Sequence, residues 1–141
     1  IPDGPEVVAH SDGDVLLHAL MDALLGAAGM GDIGLHFPDS DPAYAGAPSA
    51  ALLQEVLDLL AREGVAPVHV DMTIIAQVPK IAPWREKIRA NAAAVLQMPE
   101  RCVNLKATTE EGLGFTGEKL GIKAMATALC QRRPGGQQES D

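Results

Sequence analysis

Residues 68–76 alternate cleanly: Val68, Val70, Met72 and Ile74 fall on one side of an extended chain, and His69, Asp71 and Thr73 on the other. A period of two requires a strand with one covered and one wetter face. On either side the period changes. Upstream, Leu52, Leu53, Val56, Leu57 and Leu60 form a helical stripe, opened by Pro48-Ser49 and ended by Gly64. Downstream, Pro79-Lys80 stops the strand, and Pro83 starts a helix carrying Ile88, Ala92 and Val95. Val103 to Thr108 then reads as a second strand. This alternation predicts an α+β fold (an α/β sandwich), in which a small mixed β-sheet carries helices packed on one face. The 141 residues suit one domain, assigned to residues 1–133, followed by a polar tail at 134–141 expected to be disordered.

The flanks complete the pattern. Val15 to about Ala28 predicts a first helix, with Leu17, Leu20, Leu24 and Ala27 at helical spacing and Ser11 or Asp12 as its N-cap. Gly29, Gly31 and Gly34 break that pattern, and Gly31 to Ala47 reads as a long loop. A loop of about 15 residues in a compact domain is usually functional. After the Gly-rich run Gly112-Leu113-Gly114-Phe115-Thr116-Gly117, residues 118–131 predict a last helix. Two strands are few for a sheet. Residue 1 is Ile and the opening Ile-Pro-Asp-Gly-Pro reads as a turn, so a further strand is expected upstream.

Charge narrows the function classes. Residues 1–61 hold ten carboxylates and no Lys or Arg, whereas residues 62–141 hold eleven basic and nine acidic residues. The first part carries −10 and the second +2, giving the net −8. An acidic chain with 3% aromatic residues has neither the basic surface nor the stacking platforms of a nucleic-acid coat. No apolar run approaches the ~18 residues of a membrane-spanning helix. Two cysteines are too few for a disulfide scaffold and fit a reducing compartment. The acidic part is read either as a solvated face or as a carboxylate-rich metal site.

Five constellations bear on chemistry. Asp14, His18 and Asp22 lie at i, i+4 and i+8, so neighbours share a helix face. That spacing suits a metal-ligating His oriented by carboxylates, and equally a structural His held by ion pairs. His10-Ser11 stands at the mouth of the first predicted helix, where free N–H groups favour phosphate; simple capping is the plainer reading. Asp32-Ile33-Gly34 with Phe37-Pro38-Asp39-Ser40-Asp41 offers carboxylates to Mg²⁺ or to sugar hydroxyls, or forms an ordinary Asp-rich turn. Lys106-Ala107-Thr108-Thr109-Glu110-Glu111 brings two hydroxyls and a cation-binding carboxylate to a strand end. Ala76-Gln77-Val78-Pro79-Lys80 closes the other strand, and ligands tend to bind at strand ends in α/β sheets.

In their order along the chain these segments resemble one family. Ala9-His10-Ser11-Asp12-Gly13-Asp14, His18-Ala19-Leu20-Met21-Asp22, Gly31-Asp32-Ile33-Gly34 and Phe37-Pro38-Asp39 are similar to the 2-C-methyl-D-erythritol 2,4-cyclodiphosphate synthases. Asp71-Met72-Thr73-Ile74-Ile75-Ala76-Gln77-Val78-Pro79-Lys80, Asn104-Leu105-Lys106-Ala107-Thr108-Thr109 and the Gly112–Gly117 run continue the resemblance, which extends from about Ile1 to Cys130. It implies a phosphorus–oxygen lyase of non-mevalonate isoprenoid biosynthesis. Such an enzyme cyclises 4-diphosphocytidyl-2-C-methyl-D-erythritol 2-phosphate and releases CMP. It further implies one Zn²⁺ and one Mg²⁺ or Mn²⁺ per active site, and a homotrimer with sites between subunits. The location implied is bacterial cytoplasm or plastid stroma.

Carried over by position, the resemblance implies His18 as a zinc ligand with Asp14 and Asp22 as its support, and Glu111 as ligand of the second metal. His10, Thr109 and Asp22 are the expected catalytic group, with His10 and Ser11 on the 2-phosphate. Asp32, Ile33 and Gly34 are expected around the ribose, and Phe37, Pro38, Asp39, Ser40 and Asp41 on the methylerythritol side. Ala76, Gln77, Val78, Pro79, Lys80, Ile81 and Ala82 are expected on cytosine and the neighbouring phosphates. Thr108, Thr109, Glu110, Glu111 and Phe115 complete the substrate-binding set.

Two departures stand out. The family's zinc site also uses an Asp-x-His pair before this region, and nothing ahead of His10 supplies it, so that pair is expected upstream of residue 1. Were it truly absent, the alternative is a catalytically silent trimer that binds a cytidine nucleotide. Glu118 follows Phe-Thr-Gly where the family often has Arg, which weighs against isoprenoid phosphate binding in the trimer cavity.

Overall fold

The computed structural model describes the backbone of residues 5–38, 49–76, 85–108 and 122–133, and the side chains from residue 14 on apart from Ala76 and Ile122. The elements are α1 (Pro5–Ala27), α2 (Ile33–His36), α3 (Ser49–Arg62), β1 (Val65–Ala76), α4 (Arg85–Leu96), a 3₁₀ turn (Glu100–Cys102), β2 (Val103–Thr108) and β3 (Ile122–Arg132). The strand order is β2-β1-β3. β1 runs parallel to β2 and antiparallel to β3, so the sheet is mixed. A parallel neighbour needs a long crossover, and α4 lies within the one joining β1 to β2.

One face of the sheet is covered. Val65, Val70, Met72 and Ile74 of β1 and Val103 and Leu105 of β2 are buried with Leu16, Leu20, Met21, Leu24 and Leu25 of α1. Leu52, Leu53, Val56 and Leu60 of α3 and Ala92, Ala93 and Leu96 of α4 complete this core. Helices on one face of a small mixed sheet match the expected α+β class.

Four expectations are corrected. The predicted last helix over 118–131 is instead strand β3 where it is described. Ala124, Ala126, Ala128 and Cys130 pack against the core, while Lys123, Met125, Thr127 and Leu129 alternate outward. Small residues on the inner side let α1 lie close against β3. The described sheet thus has a third strand beyond the two read from the sequence. Second, α1 begins at Pro5 and not near Ser11 or Asp12; proline suits a first helical turn because its missing N–H has no partner there anyway. Third, the predicted 31–47 loop contains the helical turn α2. Fourth, β1 starts at Val65, and its register shifts between Pro67 and His69. Val68 is the extra residue of that bulge and is 40% exposed, outside the buried set it was assigned to. Pro67 is tolerated because β2 pairs only with residues 70–75, leaving one side of β1 without a ladder there. The predicted start of the third helix at Pro83 lies outside the described residues.

The helix ends show how the chain turns. Met30 N–H donates to Leu25 O and Gly29 N–H to Gly26 O, with Gly29 at φ 72°, which closes α1 in a Schellman motif. α4 ends in the same way, Met98 N–H reaching Ala93 O and Gln97 N–H reaching Ala94 O, but here the left-handed position is Gln97 at φ 58°. A side chain in that region is strained. Gln97→Gly should raise stability by roughly 0.5–1 kcal/mol, read as a higher urea midpoint at unchanged slope.

Candidate functional site

The end of the sheet where β1 and β2 finish carries Ala76 and Thr108, the described members of two expected ligand-binding segments. Ile75 pairs with Thr108, and Ala76 pairs with Ile122 at the start of β3. Parallel β1 and β2 thus finish side by side, and β3 begins beside them. Ala76 and Thr108 are brought together at this edge. Gln77, Val78, Pro79, Lys80, Ile81 and Ala82 follow directly from β1, and Thr109, Glu110, Glu111 and Phe115 directly from β2; these residues lie outside the described set. Asp39, Ser40 and Asp41 do as well.

Asn104 and Lys106, which alternate with the buried Val103 and Leu105, turn to the outer face of the sheet, as Thr108 does. Lys106 Nζ is 2.8 Å from Asp71 Oδ2, and Asn104 Nδ2 donates to Asp71 Oδ1 at 2.8 Å. These two hydrogen bonds, chiefly that from Lys106, hold the Asp71 carboxyl below its ordinary 3.8. The lowered value makes the pair's small contribution to stability present at neutral pH and lost as pH falls through the folded-state pKa.

The second cluster is built on α1. The residues on its buried side, Leu16, Leu20 and Leu24, anchor the helix, and Asp14, His18 and Asp22 are exposed. One helix thus serves the core on one side and presents a His between two carboxylates on the other. The His18 side chain makes no hydrogen bond with another described residue. Asp22 does: its Oδ1 accepts the Ile33 N–H at 2.7 Å. His10 and Ser11 are backbone residues within α1, so the free N–H groups at the helix mouth belong to positions nearer Pro5. The placement of His10-Ser11 at the helix mouth is corrected accordingly.

After the Schellman turn, the chain folds back. Asp32 is the N-cap of α2, its Oδ1 accepting Leu35 N–H at 2.9 Å. His36 Nε2 is 2.6 Å from Met30 O, tying the end of α2 to its approach. Phe37 is 8% exposed and belongs to the core, while Pro38 is exposed. Gly31 has φ 87°, and a Cβ there would come within 2.7 Å of Leu35 Cδ2. Ile33 and Gly34 sit in the first turn of α2, and a Cβ on Gly34 would meet only Asp32 Oδ1 at an ordinary 3.5 Å. Residues 31–37 therefore form a platform joined to the His18 helix, a relation that residue spacing did not reveal.

As a metal centre, His18 is a suitable donor with carboxylates on its face. Zinc takes three or four protein ligands in most sites. Among the described residues no three His, Cys, Asp or Glu side chains converge in a group that could hold a metal ion. His18 therefore fits as one donor and does not by itself complete a shell. Cys102 and Cys130 are free thiols, and burial pushes the Cys130 pKa up.

Comparison with known proteins bears on this arrangement. The model of the YgbB family matches residues 1–131. A bifunctional enzyme IspD/IspF of Nitratidesulfovibrio vulgaris is 68% identical over 134 residues, covering 95% of this chain and 34% of that protein. The chain thus spans about a third of the length of such bifunctional relatives. The 2-C-methyl-D-erythritol 2,4-cyclodiphosphate synthase of Thioalkalivibrio sulfidiphilus is 58% identical, covering 93% of this chain and 82% of that protein. A solved 2C-methyl-D-erythritol-2,4-cyclodiphosphate synthase in its CDP-bound form superposes with a TM-score of 0.75 at 33% identity, covering 82% of this chain and 74% of the other.

Proposed function

We propose that this chain, which belongs to the YgbB family, cyclises 4-diphosphocytidyl-2-C-methyl-D-erythritol 2-phosphate to 2-C-methyl-D-erythritol 2,4-cyclodiphosphate and releases CMP. The observation that carries the reading is the match to a stand-alone synthase over most of both lengths. An oxygen of the substrate's 2-phosphate attacks the β-phosphorus of the diphosphate. One P–O bond forms, the P–O bond to CMP breaks, and the electron pair leaves on CMP. No protein nucleophile is needed, so the protein's part is positioning and charge stabilisation.

In this reading Asp32, Ile33 and Gly34 hold the ribose on the α2 platform, and Ala76 to Ala82 receive cytosine at the sheet end. Thr108 and Thr109 hold the diphosphate, and His10 and Ser11 the 2-phosphate. His18 would hold Zn²⁺ and Glu111 Mg²⁺ or Mn²⁺; bound there, the ions would supply positive charge to the phosphate oxygens. The exposed acidic face of α1 supports a cation-dependent site. The silent-binder alternative is not favoured, because relatives matched over most of both lengths are named as synthases.

The same reading makes the protein a homotrimer with sites between subunits, the acidic first part of one subunit facing the nucleotide segments of the next. What supports self-association is the outer face of the sheet, where Met125 and Leu129 are 49% and 63% exposed. No described helix is long and apolar enough to cross a membrane, and the matched relatives include bacterial proteins, in keeping with work in the bacterial cytoplasm.

The test is product identity. Given the diphosphocytidyl substrate, Mg²⁺ and Zn²⁺, the intact protein should yield CMP and the cyclic diphosphate in equal amounts. An open-chain phosphate product would instead indicate a metal-dependent phosphohydrolase. Substrate binding without any CMP would restore the silent-binder alternative.

A further inference from the structure

One side chain of α1 hydrogen-bonds directly to the short segment that follows the helix. Asp22 Oδ1 accepts the backbone N–H of Ile33, eleven residues away, at 2.7 Å. Ile33 opens α2, so its N–H has no partner within that helix. Asp32, beside it, caps the same turn through Leu35 N–H. The two carboxylates divide the work: Asp32 closes α2 on itself, and Asp22 fastens it to α1. His36 adds a third tie through Met30 O. The carboxylate also lies at the positively polarised start of α2, although one turn of helix offers only a weak field.

We infer that Asp22 is a positioning residue, and that the hydrogen-bond acceptor at Oδ1, not its negative charge, is what the nucleotide site requires. The inference rests on the proposed reading of Asp32–Gly34 as the ribose platform. Asp22 lies one helical turn after His18, and no side-chain hydrogen bond joins the two. Its described bond goes to the platform. Through it, the face of α1 that carries His18 and the segment that carries Asp32 are set at one fixed spacing. A ligand spanning both must meet them as a rigid pair. The carboxylate is exposed, so losing it leaves no buried charge unpaired and the core of α1 is untouched.

Two substitutions separate acceptor from charge. Asp22→Asn keeps an oxygen at Oδ1 and removes the charge; Asp22→Ala removes both. In the intact protein, amide exchange at Ile33 and calorimetric affinity for CDP are measured with thermal unfolding as the control for folding. Asp22→Ala should speed Ile33 exchange and weaken CDP binding by about tenfold each, the scale of a charge-assisted hydrogen bond. It should raise KM more than it lowers kcat. Asp22→Asn should stay within about threefold of the parent for exchange and CDP affinity. If both variants lose CDP affinity equally, or if Asp22→Ala leaves exchange and affinity unchanged, the inference is overturned. If the parent protein itself fails to bind CDP while Ile33 exchange responds as stated, the nucleotide reading fails and the structural tie alone survives.

Discussion

Replacing His18 by alanine should lower CMP release by about 10²–10³-fold, the scale at which removing one stabilising group at a phosphate or oxyanion usually costs. The protein should keep its fold. His18 is exposed on α1 and bonds to no other described side chain, so its removal opens no cavity and strands no buried partner. Stability should therefore move by no more than about 0.5 kcal/mol. Steady-state CMP release and thermal unfolding, measured on the same preparation, check both halves. A loss of rate accompanied by a comparable loss of stability would mean that His18 is a structural residue, as its spacing alone also allowed.

Leu20→Ala, two residues along the same helix, should do the reverse. Leu20 is 0% exposed, on the side of α1 that faces the core. Truncating a fully buried leucine costs about 2–5 kcal/mol, because the lost transfer energy is joined by a cavity that neighbours fill only in part. For a chain of this size the unfolding temperature should fall on the order of 10 °C. Where the variant remains folded, at low temperature, its rate of CMP release should stay near the parent's. The urea midpoint and the low-temperature rate measure the two effects separately. The contrast between positions 18 and 20 tests whether α1 divides its labour by face.

That division was legible in part: Leu20 and Leu24 of the expected stripe are buried and Asp14, His18 and Asp22 are exposed, but Leu17 is half-buried, Ala27 is exposed, and the buried Leu16 lay outside the stripe. β2 and α3 were plainer: Val103 to Thr108 was read with its observed bounds, and Ser49 does open α3. β3 was misread for a physical reason. Ala124, Met125, Ala126, Ala128 and Leu129 all favour helix intrinsically, and both sides of the alternation are apolar. What makes the segment a strand is tertiary: β1 offers a free edge, and α1 needs small residues beneath it. Val68 was misplaced because a bulge reverses the parity of everything before it. The start of α1 was hidden by Ser11 and Asp12, which have the chemistry of caps but lie inside the helix. The tie from Asp22 to Ile33 joins a side chain to a backbone group across a turn, and side-chain spacing carries no trace of that.

The packing of α1 against β3 has a consequence for how the chain is born. The first helix of the described fold finds its principal surface on the last strand. Until β3 has been made, α1 has only its lesser contacts with α2, α3, β1 and α4. β1, the middle strand, likewise waits for both neighbours, which come later in the chain. Contacts so distant in sequence pay their loop-closure entropy before they return any energy, and they slow folding. The nascent chain must therefore carry a greasy helix only partly covered until β3 has been made. Closure is a single late event in which β3 docks on β1 and α1 settles onto it, and a chain stalled before residue 122 is a target for chaperones or proteases.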